Sequence, residues 1–318
     1  MNTELTVSPD IDSPDNSEYE ITPKVGAIIV TYNRRDDVIE CIDSLLKSTY
    51  PELTVYVIDN SSEDGTSEAI SGQYPQVVLI ESNKNLGFSE GNNVVLARAL
   101  QDGMDAVFLL NDDAVVKDDA IQTLVDVLYQ YDEIGVVSPK ISLYSDPEVI
   151  WSAGGVIEPD NGIATQRHYG ETDCGQADSA SIVDYAVGCA MLIKSDIVRT
   201  VGGIDPRYFM YYEEADWCRR IRDAGYLILY VPKSQVLHKV SLQSNGRNNA
   251  PYYMSRNRLL YLRSGGVRAD RVAWIAISEI LRSAAGHAAK GRSHESRLMI
   301  RAVVDYFGNN NGMLGSNQ

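Results

Sequence analysis

Two adjacent carboxylates stand at the end of an apolar run in the middle of the chain. Asn111, Asp112 and Asp113 directly follow the run at residues 106–110. Neighbouring carboxylates repel each other, so a cation at this point would remove a real electrostatic cost. Oxygen ligands of this kind suit Mg²⁺ or Mn²⁺, and such an ion would bridge the protein to a nucleotide diphosphate. The triplet therefore predicts a metal-assisted diphosphate site, with a solvated acidic turn as the alternative.

A further carboxylate, Asp59, closes an earlier apolar run and is followed by a polar segment at residues 60–66. A carboxylate accepts the N3–H of uracil or thymine but would face the lone pair of cytosine N3. Asp59 therefore favours a UDP- or dTDP-linked ligand over a cytidine-linked one, and guanine N1–H also fits. The alternative is that Asp59 and Asp64 only form turns and cap the next helix.

Between these two positions, residues 83–93 form a polar segment that contains glycine and runs into a predicted helix. Gly87 allows close backbone approach, and the N-terminus of a helix offers free N–H groups to an anion. This arrangement predicts contacts with phosphate.

The elements that must position these side chains alternate between strand-like and helical patterns. Continuous apolar runs, as in strands buried on both faces, predict strands at 25–31, 54–58, 77–80 and 106–110, and helical spacing predicts helices at 36–47, 66–71, 90–100 and 118–131. Repeated βαβ units imply a doubly wound, mostly parallel sheet with its ligands at the carboxyl ends of the strands.

The rhythm changes after Val136. Glycines and turn residues between 151 and 175 predict strands and loops that cover the site. A buried strand is predicted at 183–194, and Ser195 is expected to cap the helix after it. A helix at 214–224 and a strand at 227–231 follow. Residues 252–307 are predicted to be mostly helical, with breaks at Gly265, Gly266 and Gly286.

Several classes of protein are excluded or disfavoured. No G-x-G-x-x-G follows the first strand and no G-x-x-x-x-G-K-[ST] is present, which removes the dinucleotide-binding fingerprint and the P-loop. The net charge of −16 argues against a nucleic-acid partner. No apolar run approaches the roughly 20 residues that a membrane span needs. The acidic start at residues 1–22 is expected to be a disordered leader without a signal peptide, so a soluble, cytoplasmic protein is predicted. Four widely spaced cysteines are expected to be buried free thiols.

Five ordered motifs resemble those of family 2 glycosyltransferases of the GT-A fold, most closely their rhamnosyltransferase-like branch. They are V-T-Y-N-R at 30–34, D-N-S-S-E-D-G-T at 59–66, N-K-N-L-G-F-S-E-G-N-N at 83–93, L-N-D-D-A at 110–114 and Y-Y-E-E-A-D-W-C-R-R at 211–220. The similarity spans about residues 25–238, with a weaker match near 253–260. Because several motifs occur in order, the resemblance is far more specific than any one of them.

The resemblance implies an α/β GT-A fold, a nucleotide-sugar donor and an Mn²⁺ or Mg²⁺ cofactor. The triplet corresponds to the D-x-D element of the family, which makes Asp113 the expected metal ligand. Its first position is Asn, so Asn111 is expected to contact ribose. His238 stands where a histidine completes the metal site in some relatives. The expected contacts with the nucleotide sugar are Thr31, Tyr32, Asn33, Arg34, Asp59, Asn60, Ser62, Asn85, Gly87, Asn92, Asn111 and Asp112.

An inverting transfer also needs a base for the acceptor hydroxyl. Glu213 and Glu214 follow the aromatic run at 208–212, and a partly desolvated wall would raise the pKa of a carboxylate usefully. The family usually has Glu-Asp here, with the second acid as base, so Glu214 is the first choice although it is one methylene longer. The alternative is that these acids only favour the helix dipole. Asp216 is expected to pair with Arg219 or Arg220.

Three further residues are candidates for the acceptor side. Trp151 would stack on a sugar, while Arg256 and Asn257 would lie near a phosphate. The alternative for Arg256 is a surface salt bridge. The apolar stretch at 272–281, beside basic residues, predicts packing against the catalytic domain or a second subunit, or contact with a membrane surface near a lipid-linked acceptor.

These observations predict a leader at 1–22, a GT-A catalytic domain at 23–250 divided near 115 into donor and acceptor halves, and a helical extension at 251–318. The predicted function is inverting transfer of a rhamnose-like sugar or related hexose from a dTDP- or UDP-sugar to a glycan or lipid-linked acceptor, in the cytoplasm or at the inner face of the membrane. The alternatives are a catalytically silent nucleotide-sugar-binding module and a sugar-1-phosphate nucleotidyltransferase.

Overall fold

The structure is a computed structural model that describes residues 22–239 and 249–315. The predicted leader lies outside the described residues except for its last residue.

Four parallel strands form the first half of the sheet. They are β1 (Val25–Thr31), β2 (Leu53–Asp59), β3 (Val78–Glu81) and β4 (Ala106–Asn111), joined by helices α1 (Arg35–Leu46), α2 (Thr66–Gln73) and α3 (Gly87–Gln101). Within this half the order is β4-β1-β2-β3. The register pairs Thr31 with Asp59 and Val30 with Asn111, so the carboxyl ends of three strands meet at one edge. The parallel, doubly wound arrangement predicted for this half is confirmed.

The second half of the sheet is mixed. The chain that forms it, together with its helices and a separate hairpin, runs through β5 (Ala114–Val116), α4 (Ala120–Gln130), β6 (Ile134–Leu143), β7 (Ile150–Ser152), β8 (Gly155–Ile157), β9 (Ala164–Gln166), β10 (Ser181–Ile182), β11 (Ala190–Lys194), α5 (Ser195–Val201), α6 (Glu213–Asp223) and β12 (Leu227–His238). The sheet continues from β4 in the order β11, β6, β12, β10, with β5 paired to β12 and β7 to β6. Strand β11 runs antiparallel to both of its neighbours, whereas β6 and β12 are parallel to each other. The hairpin of β8 and β9 is a separate sheet.

Three predicted elements in this half differ from the structure. The strand expected at 183–194 is a strand only from Ala190, because the residues before it leave the sheet to approach the site. Ser195 is the first residue of α5 instead of its cap, and its hydroxyl makes no cap hydrogen bond. Strand β12 continues seven residues beyond the predicted end at Val231, to His238.

Between residues 250 and 307 the chain is mostly helical. The helices are α7 (Ala250–Ser264), α8 (Ala269–Ile275), a π-helical segment (Ala276–Leu281), α9 (Arg282–Ala289) and α10 (Ser293–Phe307). The break at Gly265 and Gly266 is present, but Gly286 lies inside α9, so the break predicted there is wrong. None of the helices that the structure describes combines the length and apolarity needed to cross a membrane.

The apolar stretch at 272–281 has one buried face and one exposed face. Val272, Ile275 and Ile280 are buried in a small core with Leu259 of α7, whereas Trp274 and Ile277 are more than 60% exposed. Packing against the rest of the protein therefore accounts for one face of this stretch only. The expectation that all cysteines are buried is wrong for Cys174, which is exposed, and holds for the other three.

Candidate active site

The acidic triplet lies where β4 meets the end of β12. The pairing of β12 with β5 places His238 opposite Ala114, and the Lys239 backbone N–H donates to the carbonyl of Asp113 at 2.8 Å. His238 Nε2 consequently donates to Asp113 Oδ1 at 2.9 Å. The two residues predicted as metal ligands, 125 positions apart in the chain, are thus in direct contact.

Arg34 approaches the same carboxylates from the start of α1. Its Nη1 donates to Asp113 Oδ2 at 2.7 Å and lies 3.9 Å from Asp112 Oδ1. Asn111 Nδ2 is 3.5 Å from His238 Nε2, so the first member of the triplet also faces the histidine. The structure therefore brings Arg34, Asn111, Asp112, Asp113 and His238 into one polar cluster.

The two aspartates of the triplet have opposite electrostatic environments. Burial raises the pKa of Asp112 to about 7, and the charge of Asp113 adds to that effect. Burial also opposes ionisation of Asp113, but the hydrogen bond from His238 and the charge of Arg34 outweigh it, so the pKa of Asp113 is lowered. Asp113 is therefore the carboxylate kept ionised, as a metal ligand needs to be.

The donor set fits a divalent ion held jointly by protein and substrate. Across residues 22–239 and 249–315, no three His, Cys, Asp or Glu side chains converge as a metal site. Asp113 and His238 provide one oxygen and one nitrogen ligand, and His238 Nδ1 is buried without a hydrogen-bond partner in the described part of the chain. Mg²⁺ and Mn²⁺ commonly take few protein ligands and complete their shell with phosphate oxygens and water.

The predicted base and ribose pocket lies at the ends of β1 and β2. The Asn33 backbone N–H donates to Ser62 Oγ at 2.8 Å, and Asn33 Oδ1 accepts the Glu63 backbone N–H at 2.7 Å. Asn33 adopts a left-handed backbone conformation, with φ of 52°. Next to these hydrogen bonds Thr31 is buried, whereas Tyr32 is 45% exposed.

The carboxylate of Asp59 already accepts hydrogen bonds within the protein. Asp59 is 3% exposed, and its carboxylate accepts the Ser62 backbone N–H at 3.0 Å and the Ser67 hydroxyl. Asp64 likewise accepts the Thr66 and Arg35 backbone N–H groups. The structure thus shows the turn-forming role that was the alternative, while the contact of Asp59 with a nucleobase stays a prediction.

The polar segment at 83–93 is largely helical. Gly87, with φ of +75°, begins α3, and its N–H donates to Asn85 Oδ1 at 2.8 Å. Asn60 Nδ2 donates to the Gly87 carbonyl at 3.2 Å, which ties this helix start to the end of β2. Asn92 is one turn inside the helix, 2% exposed, and donates to the Phe88 carbonyl at 2.9 Å. The side chain of Asn92 thus stabilises the helix, while its contact with the nucleotide sugar stays a prediction.

The two glutamates at the start of α6 differ in exposure and in what they face, because Glu213 is buried and Glu214 is half-buried. Glu214 lines a cavity of about 530 Å³, whereas Glu213 is 6% exposed and does not line it. Burial raises the pKa of Glu214, opposed by backbone N–H groups that include that of Gly188. Burial and the charge of Glu214 raise the pKa of Glu213 well above its usual value. Glu214 is therefore the glutamate placed to take a proton from a molecule in the cavity.

Trp151 connects this cavity to the triplet. Its indole lines the cavity together with Glu214, and its ring meets His238 edge-on with centroids 4.4 Å apart. Asp216, the third acid, ion-pairs with Arg219 and Arg220 at 2.8 and 2.9 Å, as predicted.

The cavity has further wall residues: Ala164, Thr165, Gln166, Tyr169, Tyr185, Tyr211, Tyr212, Ala215, Ala250 and Met254. Tyr211 and Tyr212 belong to the aromatic run expected to form a desolvated wall, whereas the others were not singled out from the sequence. Their only sequence signal is the clustering of tyrosines in glycine-rich surroundings. Ala250 and Met254 belong to α7, so the helical region after residue 249 forms part of the wall.

The surface salt bridge that was the alternative for Arg256 is wrong because Arg256 is buried, whereas a phosphate contact of Arg256 or Asn257 stays a prediction. Both side chains are at most 1% exposed. Arg256 donates to the carbonyls of Gly312 and Arg207, and Asn257 donates to those of Met210 and Tyr211. Their hydrogen-bonding groups are directed at backbone that is remote in sequence.

Comparison with known proteins identifies the family of the chain. The family model for Glycosyl transferase family 2 matches residues 27–199. The chain is 28% identical over 263 residues to an N-acetylglucosaminyl-diphospho-decaprenol L-rhamnosyltransferase of Mycobacterium tuberculosis, covering 76% of this chain and 84% of that protein. It is 24% identical over 252 residues to a dTDP-rhamnosyl transferase of Shigella flexneri, covering 76% and 81% respectively.

Among solved structures, the fold is similar to that of a mannosyltransferase from Pyrobaculum calidifontis in complex with GDP-Man and Mn²⁺. The TM-score is 0.61 at 16% identity, over 96% of this chain and 92% of that one. The likeness shows a GT-A-type fold. The chain belongs to glycosyltransferase family 2 and is a glycosyltransferase of the rhamnosyltransferase-like kind.

Proposed function

We propose that this glycosyltransferase transfers a deoxyhexose such as rhamnose, or a related hexose, from a dTDP- or UDP-sugar, with inversion at the anomeric carbon. Glu214 is the general base and Asp113 the principal metal ligand. The observation that carries the proposal is the position of Trp151, which touches His238 on one side and lines the cavity of Glu214 on the other. The group that binds the leaving diphosphate and the group that activates the acceptor are thereby neighbours.

The residues of the site have separate roles in the proposed reaction. Asp113 and His238 would hold Mg²⁺ or Mn²⁺, and such an ion would supply positive charge to the leaving diphosphate. Arg34 supplies a permanent positive charge beside the same carboxylates. Glu214 accepts the proton of the acceptor hydroxyl as that oxygen attacks from the face opposite the diphosphate. The buried environment of Glu214 suits this task, because a raised pKa strengthens the carboxylate as a base.

The donor assignment rests on two kinds of support. Asp59 at the end of β2 favours a base with an N3–H, and the relatives from Mycobacterium tuberculosis and Shigella flexneri are named as rhamnosyltransferases, the second with dTDP in its name. Asn111 is proposed to contact ribose, leaving Asp113 to the metal.

The cavity is proposed to hold the acceptor sugar. Aromatic faces bind the apolar faces of sugars, and the wall contains Trp151, Tyr169, Tyr185, Tyr211 and Tyr212. The relative named as acting on a diphospho-decaprenol compound supports a lipid-linked acceptor.

For such an acceptor, we propose that the exposed Trp274 and Ile277, with the flanking exposed Arg271 and Arg282, contact the cytoplasmic membrane surface. Sedimentation with vesicles that contain anionic lipid, lost in a Trp274→Ala Ile277→Ser variant, would support this contact. A dimer that persists without vesicles and dissociates in the same variant would support a subunit interface instead.

The central experiment measures nucleotide release from dTDP-, UDP- and GDP-sugars with Mn²⁺ or Mg²⁺, together with donor binding by calorimetry. Asp113→Ala is expected to lose metal-dependent donor binding. Glu214→Gln is expected to bind donor normally and to lose about 10²–10⁴-fold in kcat. Glu213→Gln is the matched control, because it changes the adjacent glutamate outside the cavity.

Two outcomes would contradict the proposal. Full activity of Glu214→Gln would remove the base assignment, and activity undiminished by EDTA would remove the metal. A wild-type protein that binds nucleotide sugar but turns over none of the panel would favour a silent binding module.

A further inference from the structure

The backbone that leads into the catalytic helix α6 is strained. Tyr211 and Tyr212 have φ of 67° and 69°, two consecutive residues other than glycine in the left-handed region. Such a conformation is disfavoured for residues with a side chain, and it persists only where the surroundings enforce it. Because Glu213 and Glu214 follow immediately, this turn sets the direction in which α6 starts.

Asn257 of α7 holds the turn from behind. Its Nδ2 donates to the carbonyl of Met210 at 2.8 Å and to that of Tyr211 at 2.7 Å. Its Oδ1 accepts from Arg256 Nε at 2.9 Å, which fixes the orientation of the amide group. Asn257 has no solvent exposure, so no water replaces these bonds if its amide is removed.

Arg256 anchors the same segment one step earlier. Its Nη2 donates to the Arg207 carbonyl at 3.2 Å, and its guanidinium carbon lies 5.3 and 5.4 Å from the ring centroids of Tyr252 and Tyr253. Tyr253 stacks on Phe209 with centroids 5.6 Å apart. Helix α7 therefore contacts the segment that leads into α6 at several points between Arg207 and Tyr211.

The turn is connected forward to the cavity as well. The Tyr212 hydroxyl donates to the Gly162 carbonyl at 2.9 Å, and the Asp216 backbone N–H donates to the Tyr212 carbonyl at 2.9 Å in the first turn of α6. Rotation of the Tyr211–Tyr212 peptide would thus displace both the first turn of α6 and the cavity wall.

We propose that Asn257 is a positioning residue for sugar transfer. It holds Tyr211 and Tyr212 in the left-handed conformation and so places the Glu214 carboxylate in the cavity. The proposal rests on Glu214 being the base. It assigns to the helical region after residue 249 a part in the chemical step, in addition to its part in the acceptor wall.

The test compares three variants that differ in which bonds they remove. Asn257→Ala removes the whole amide. Asn257→Asp keeps the shape and the bond from Arg256 but cannot donate to the two carbonyls. Leu259→Ala is the matched control, because Leu259 is equally buried on the same helix and packs against Val272 and Ile275, away from the turn. Tm is measured for each, with kcat and the KM of donor and acceptor.

Both Asn257 variants are expected to lose about 10- to 100-fold in kcat, with the donor KM changed by less than about threefold, since a displacement of about 1 Å in a catalytic group has effects of this size. Leu259→Ala is expected to lower Tm at least as much while its kcat stays within about threefold of wild type. Wild-type kcat in Asn257→Asp, or an equal loss of kcat in Leu259→Ala, would overturn the inference.

The failure of this inference is distinguishable from that of the proposed function. If Glu214→Gln is inactive while Asn257→Asp is fully active, only the positioning role is wrong. If Glu214→Gln is fully active, the base assignment itself is wrong and the positioning role falls with it.

Discussion

The indole of Trp151 meets the imidazole of His238 edge-on, with ring centroids 4.4 Å apart and ring planes at 79°. The same indole forms part of the wall around Glu214. One side chain therefore borders both His238, a predicted metal ligand, and the cavity that Glu214 lines.

Replacing Trp151 is expected to weaken the acceptor more than the donor. Aromatic contacts contribute about 0.5–1.5 kcal/mol beyond buried area, so Trp151→Ala should raise the acceptor KM by about tenfold, and Trp151→Phe should restore most of the loss. Initial rates at varied acceptor and saturating donor measure this effect. An unchanged acceptor KM in Trp151→Ala would show that no sugar stacks on the indole.

Removing His238 is expected to weaken metal activation specifically. His238→Ala deletes the nitrogen that faces Asp113 Oδ1 at 2.9 Å, so the Mn²⁺ concentration needed for half-maximal activity should rise by about tenfold or more. His294→Ala, an exposed histidine on α10, is the control and should leave the Mn²⁺ titration unchanged. Equal Mn²⁺ titrations for His238→Ala and wild type would exclude His238 as a ligand.

Glu213 is expected to make stability depend on pH. Its pKa is raised by burial and by the charge of Glu214, so above the ordinary glutamate pKa the folded protein keeps a proton that the unfolded chain releases. The free energy of unfolding therefore falls as pH rises from the ordinary glutamate pKa through the raised pKa. Well below the ordinary pKa this loss of stability is absent, because the glutamate is protonated in both states.

Glu213→Gln removes this titration. Its Tm should exceed that of wild type near neutral pH, and the difference should shrink toward about pH 4, where the glutamate is protonated in both states. Thermal unfolding monitored by circular dichroism across this range measures the difference. A Tm difference that does not vary with pH would contradict the raised pKa.

A side chain at Gly87 is expected to be costly for a reason beyond its backbone conformation. A Cβ there would lie 2.4 Å from the ring of Phe209, in the segment that leads to α6, at a φ of +75°. Gly65 has a similar φ of +81° but open space around it. Gly65→Ala should cost about 1–2 kcal/mol of strain, and Gly87→Ala about 1–3 kcal/mol more from the collision. Urea unfolding of the pair measures the difference, and equal losses would show that Phe209 moves aside freely.

The parallel half of the sheet was predictable because each of its strands is a largely apolar run. The runs that end at Thr31, Asp59 and Asn111 are buried on both faces of a parallel sheet, so pattern and structure agree there. Strand β6 was not predicted, because Ser138, Lys140 and Ser142 interrupt its pattern. Lys140 is nevertheless 5% exposed, since Asp173 and Asp178 pair with it from a loop more than 30 residues away.

The acids of the candidate site, Trp151 and the aromatic run at 208–212 could be singled out from the sequence, whereas the remainder of the cavity wall could not. Asp113 and Glu214 are marked by a strand end and by an aromatic run, both of which are local signals. The partners of Asn257 are backbone carbonyls 46 and 47 positions away, which leave no trace in side-chain spacing. The guanidinium of Arg256 also donates to a backbone carbonyl that is distant in sequence. Side-chain spacing does not reveal such a partner, so the sequence suggested a phosphate contact instead.

Strand β11 begins where β4 ends, because it runs antiparallel to β4 with Ala190 opposite Leu110. The Asn111 backbone N–H donates to the Cys189 carbonyl at 2.9 Å, so the chain entering β11 reaches the triplet from the side of the cavity. Insertions or deletions among residues 164–169 would therefore reshape the cavity wall near Glu214, while the pairing of β4 with β1 and β11 continues to hold Asn111. With the cavity assigned to the acceptor, as proposed, such changes would alter the molecule that is glycosylated and leave the site of the activated sugar in place.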